Sequence, residues 1–109
     1  MIKLVYCVWR REDVSQEEFH NYWLNTHGPN VRSVAEKINA LRYVQSHRVD
    51  TRNNDAMRQS RNMTAPSHGI TEVWISDEAH MNEVTASQQG RQAGWFLIED
   101  VSRFIFLEK

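Results

Sequence analysis

Ile2 to Trp9 is an unbroken apolar run whose two alternating faces both carry hydrophobic side chains, Ile2, Leu4, Tyr6 and Val8 on one and Val5, Cys7 and Trp9 on the other. Successive strand residues point to opposite sides, so a strand of this composition has to be covered on both faces. No other feature narrows the possible folds as much. Helices can cover one face, but leaving the other wet would expose a large apolar patch.

The remaining elements say how the first cover is supplied. Strand-like runs recur at Leu41 to Val49, Ile70 to Ile75 and Arg103 to Leu107. Helical patterns lie between them: an aromatic segment before Pro29, a second after it with Val31, Val34, Ala35 and Ile38 in helical spacing, then Asp77 to Ala86 behind Ser76 as cap, and Arg91 to Val101 with Ala93, Phe96, Leu97 and Val101 on one side. The order β-α-β-β-α-β describes a ferredoxin-like α+β fold, an antiparallel sheet with helices on one face. A homodimer that packs sheet against sheet is the economical cover for the other face. At 109 residues the whole chain, 1–109, is expected to form one domain.

The aromatic segment runs Phe19-His20-Asn21-Tyr22-Trp23-Leu24-Asn25-Thr26-His27-Gly28-Pro29. Ser15 with Glu18 forms a capping box that starts the helix. Phe19, Tyr22, Trp23 and Thr26 make one stripe, with His27 on its shoulder. Pro29 lacks an N–H and disfavours helical geometry at Gly28, so the spacing predicts a helix that ends there and leaves His27 near its C-terminus. Free carbonyls and the helix dipole would favour a protonated ring at that position, and burial against aromatics would oppose it.

A net charge of −1 with dispersed Lys and Arg gives no basic stripe for nucleic acid, and no apolar run is long enough to span a membrane. Cys7 is the single cysteine, so no intramolecular disulfide is possible. Met1 to Arg10 reads as a strand rather than a secretory signal, and the expected location is the cytoplasm. The five histidines, at 20, 27, 47, 68 and 80, show no HxH or HExxH spacing, and there is no glycine-rich phosphate cradle; neither a metal nor any other cofactor is expected. Residues 50 to 69 form an unusually long connection with a short helix around 55 to 62. A lid and a polar surface excursion are both open readings of it.

Tyr22-Trp23 with His27-Gly28-Pro29, the run Tyr43-Val44-Gln45-Ser46-His47, Gly69-Ile70-Thr71-Glu72-Val73-Trp74 and Val101-Ser102-Arg103-Phe104 together resemble the EthD family. The resemblance implies a dimeric α+β barrel with a cavity in each subunit between sheet and helices, into which His27 projects. Related enzymes of that superfamily include lactone isomerases, polyketide cyclases, cofactor-free monooxygenases and haem-degrading enzymes, so the resemblance constrains fold far more than reaction.

Alternation along the second strand places Leu41, Tyr43, Gln45, His47 and Val49 on one face. If that face meets the helices, Tyr43, Gln45 and His47 join His27 around one pocket. The expected catalytic residues are then His27 and His47, with Trp23, Tyr43, Gln45, Cys7 and Val73 contacting a small hydrophobic or aromatic-derived substrate. His27 would shuttle a proton near neutral pH while Tyr43 holds the enolate. Isomerisation, or cyclisation with dehydration, of a lactone or polyketide-like compound is the expected chemistry. Two alternatives stay open: a cofactor-free monooxygenase of phenolic or anthrone-type substrates with Trp23, Trp74 and Trp95 as stacking surfaces, and a non-catalytic ligand-binding protein of a catabolic pathway. Each residue also has a purely structural reading, His27 as a support for the Gly-Pro turn and Cys7 as a buried small hydrophobe.

Overall fold

The computed structural model describes residues 1–107. Its three strands, β1 (Ile2–Val8), β2 (Arg42–His47) and β3 (Gly69–Ile75), form an antiparallel sheet in the order β1-β3-β2. β3 alternates cleanly between buried Gly69, Thr71, Val73 and Ile75 and the more open Ile70, Glu72 and Trp74. The register carries this alternation across the sheet. Tyr6 pairs with Thr71 and Leu4 with Val73 on the helix side, whereas Cys7 pairs with Ile70 and Val5 with Glu72 on the side that no helix covers.

On that open side Lys3 forms an ion pair with Glu72 at 3.1 Å, and the Arg42 guanidinium lies over the Trp74 ring. Cys7 is exposed there, contrary to the expected buried hydrophobe, because β1 is an edge strand with one uncovered face. Val5 is 54% exposed for the same reason.

The expected fourth strand is reduced to a single antiparallel bridge between Arg10 and Ile105. The cause is local. The Val101 carbonyl at the helix end takes the N–H groups of both Phe104 and Ile105, so only Phe106 N–H remains to reach Trp9 O (2.8 Å), while Arg11 N–H reaches Phe104 O (2.9 Å). Phe104 and Ile105 are both buried, and Phe104 joins Val8, Phe19 and Trp23 in the main core cluster.

The helices cover one face. α1 (Gln16–Tyr22) starts at Ser15, whose hydroxyl accepts from Glu18 N–H. It does not stop at Gly28-Pro29. A π-helical turn over Trp23–His27 leads directly into α2 (Gly28–Ser33), and His27 and Gly28 keep right-handed helical dihedrals. The wider turn sends Gly28 N–H to Trp23 O, one residue further back than in an α-helix, and it accommodates a proline that offers no N–H of its own. The turn also carries the buried stripe from Trp23 to His27 and Gly28 and leaves Thr26 exposed.

A 3₁₀ turn, Ala35–Ile38, ends at Asn39 in the left-handed region (φ 59°), and the Asn39 side chain accepts from Ser76 N–H and Oγ–H. Ser76 is therefore tied to this turn, and Asp77 caps α4 (Glu78–Ala86) in its place. α5 (Gln88–Val101) is capped by Ser87 and begins earlier than its apolar spacing suggests. The long connection carries α3 (Arg52–Ser60), capped by Thr51.

Candidate active site

The apolar stripe of α5 contains one acid. Asp100 follows Ala93 and Leu97 at helical spacing, so it turns toward the core and is 1% exposed. A carboxylate there requires donors, and four groups supply them. His27 Nδ1–H reaches Oδ2 at 2.6 Å and Asn30 Nδ2 reaches it at 3.1 Å; Tyr22 O–H and Arg103 (3.1 Å) donate to Oδ1. Burial pushes the Asp100 pKa up, but the hydrogen bonds from Tyr22, His27 and Asn30 outweigh it and hold the group below the usual carboxylate range. Burial, then the contact with Asp100, pushes the Tyr22 phenol up.

An ionised carboxylate on Nδ1–H fixes the tautomer of the neutral His27 ring, in which Nε2 is the nitrogen that carries the lone pair. Nε2 bonds to no described residue, and the ring, packed on Phe104 at 5.0 Å, lines a cavity of about 400 Å³ between sheet and helices. The expectation of a histidine at a helix end is corrected in its physics. His27 lies within a continuous helical run, and its electrostatic partner is the Asp100 carboxylate rather than a helix terminus.

Sheet and helices contribute different chemistry to the cavity. Tyr6, Tyr43 and Thr71, each with a hydroxyl, line it from the sheet, while Trp23, Val31, Val73, Leu97 and Phe106 make most of the wall apolar. No Lys, Arg, Asp or Glu among the described residues lines it. Burial is the main cause that pushes both phenols, Tyr6 and Tyr43, above the usual tyrosine range, and the nearby Tyr43 adds to the effect on Tyr6.

Of the residues selected from the sequence, His27, Trp23, Tyr43, Cys7 and Val73 border this cavity; Cys7 does so from the edge strand, with its register on the open face. Gln45 and His47 do not. They share the helix-facing side of β2 with Tyr43, as alternation requires, but their side chains meet the buried Trp23 instead. Gln45 Nε2 donates to Trp23 O at 2.7 Å, and the His47 ring packs on the indole at 4.2 Å. His47 also meets His20 at 2.7 Å, so the two rings are paired across the helix–sheet boundary.

Neither Trp74 nor Trp95 lines the cavity; Trp74 belongs to the open sheet face and Trp95 is 72% exposed. No residue between 50 and 69 borders the cavity either. Among the described residues no group of three or more His, Cys, Asp or Glu side chains is placed to hold a metal ion, and no helix is long and apolar enough to cross a membrane.

The family model of the EthD domain matches residues 11–107. Among solved structures, an ethyl tert-butyl ether d (EthD) family protein from Bacillus halodurans superposes with a TM-score of 0.58 at 14% identity, over 94% of this chain and 85% of that one. HapK from Hahella chejuensis superposes with a TM-score of 0.58 at 15% identity, over 97% of this chain and 84% of that one. At these identities the two structures speak for the fold alone. No curated protein matches the chain.

Proposed function

Because the chain belongs to the EthD family of dimeric α+β barrels, we propose that its cavity is the active site of a small enzyme that works by acid/base chemistry without a cofactor. One observation carries this reading: a buried aspartate–histidine pair whose histidine lines a cavity bordered by no Lys, Arg, Asp or Glu among the described residues.

In the proposed step His27 Nε2 removes a proton from a carbon next to a carbonyl. Asp100 stabilises the imidazolium that forms, and a hydroxyl from the sheet holds the enolate oxygen. Returning the proton to a different carbon isomerises the substrate; delivering it to a departing hydroxyl completes a dehydration. The apolar wall favours a neutral lactone, aromatic-derived or polyketide-like compound over a carboxylate or phosphate ester. A second copy of the chain packed on the open sheet face would cover Val5, Ile70 and Trp74 and satisfy the requirement set by β1.

The experiment is solvent exchange. A panel of cyclic ketones, lactones and polyketide-like phenols is incubated with the protein in D₂O, and deuterium entering next to the carbonyl is followed by NMR. His27→Ala should slow exchange by about 10²- to 10⁴-fold while circular dichroism and sedimentation are unchanged. Undiminished exchange in that variant overturns the assignment. Oxygen consumption with phenolic members would instead identify a monooxygenase, and tight binding without exchange a ligand carrier.

A further inference from the structure

A file of hydrogen bonds along the helix side of β2 has one possible direction. The Gln45 amide orientation is set by Trp23 O, a carbonyl that can only accept, so Nε2 must face it (2.7 Å). The second Nε2 hydrogen then points to Tyr43 Oη at 2.9 Å. Gln45 Oε1 is left as an acceptor and meets His47 Nε2 at 2.7 Å, so that nitrogen carries a proton. Neutral His47 therefore has a bare Nδ1, which accepts from His20 Nδ1–H across 2.7 Å. Burial lowers the pKa of both rings, which favours the neutral forms, although Arg48 and Asp50 act on His20 with opposite signs.

Tyr43 ends this chain as an acceptor, so its own O–H is uncommitted within the chain, and the residue lines the cavity. We infer that Tyr43 donates its hydroxyl proton to an acceptor oxygen of the substrate, and that Gln45 and His47 are positioning residues that fix this direction. The ligand class follows: a neutral compound presenting a carbonyl oxygen to the sheet, which becomes the enolate oxygen in the proposed step, rather than a hydroxyl that must donate there. This rests on the cavity being the active site. Gly28 belongs to the same device, since a Cβ at that position would lie 3.1 Å from Gln45 Nε2.

The probe is acetophenone, a neutral aromatic ketone whose carbonyl oxygen can only accept. Wild-type protein should bind it and shift the His27 ring and Val73 methyl resonances. Tyr43→Phe and Gln45→Leu should each weaken binding about tenfold. The double variant should be no weaker than Tyr43→Phe alone, because Gln45 acts through Tyr43. A residue that only supports the fold would add its own loss. Independently of how the variants fold, long-range ¹H–¹⁵N spectra of wild-type protein should show His47 protonated at Nε2 and bare at Nδ1. Binding that shifts His27 and Val73 but is indifferent to Tyr43→Phe, additive losses, or the opposite His47 tautomer would each overturn the inference and leave the cavity reading standing. No binding, or binding that shifts neither residue, would overturn both.

Discussion

Replacing Asp100 with Asn changes one oxygen into an amino group and removes the charge, with almost no change in volume. Oδ2 receives His27 and Asn30; Oδ1 receives Tyr22 and Arg103. An amide nitrogen on the Oδ1 side would face Arg103, which has no lone pair to offer. On the Oδ2 side it can be satisfied if His27 moves its proton from Nδ1 to Nε2 and accepts, and if the Asn30 amide turns its nitrogen away. The cavity-facing nitrogen then changes from proton acceptor to donor.

The energy follows from what is lost. Two charge-assisted bonds at a buried carboxylate are worth roughly 1.5–3 kcal/mol each. Arg103 is half-exposed and recovers water, so its share is small. The new amide–imidazole bond and rotation of the Tyr22 hydroxyl offset part of the rest, leaving a net loss of about 3 kcal/mol. With a urea dependence of about 1.5 kcal/mol per molar, the unfolding midpoint should fall by about 2 M. Equilibrium unfolding by circular dichroism measures this, and ¹⁵N spectra of the ring report the tautomer. An unmoved midpoint together with a His27 that still carries its proton on Nδ1 would refute the argument.

Two further outcomes follow from packing and titration. Gly69→Ala should destabilise the fold by about 3 kcal/mol or prevent folding, because a Cβ there would lie 2.3 Å from the Trp23 ring and 2.7 Å from Ser46 O; a melting temperature equal to wild type would show that the indole can move aside. His68 accepts Arg10 N–H at Nδ1, and its pKa is pushed down to about 4 by burial first and then by Arg48 and Arg10. The unfolded chain, with His68 near 6.5, binds that proton first, so stability should fall as pH drops from 6.5 to about 4 and His68 should add nothing further below that window. Urea titrations across the window should show a shallower slope for His68→Gln, and equal slopes would remove His68 as the cause.

Local periodicity was enough for much of this architecture. Alternation in β2 put Tyr43, Gln45 and His47 on one face, and they share it. Periodicity could not tell which of the three reaches the cavity, because that depends on the Trp23 indole standing between His47 and the space beyond. Gly28-Pro29 read as a stop because an α-helix cannot place proline there without losing a bond; a π turn avoids that loss, and nothing in single-residue preference announces one. Asp100 had a visible signal, an acid in phase with Ala93 and Leu97. It needed a partner to have meaning, and that partner lies 73 positions away in the chain. The fourth strand was over-read because β propensity does not register that a helix end has already taken the backbone donors of Phe104 and Ile105.

The π turn at Trp23–His27 has a consequence for how such a chain can change. It works like a splice between two lengths of helix set at different rotations about one axis. Upstream, Phe19 and Trp23 are oriented by the sheet they cover; downstream, His27 and Asn30 are oriented by Asp100. In a regular helix, turning the imidazole would also turn the indole. Here the splice takes up the difference, so the lining of the cavity and the aim of its histidine are free to vary separately, and relatives with the same aromatic motif can keep the scaffold while redirecting the group that would do the chemistry.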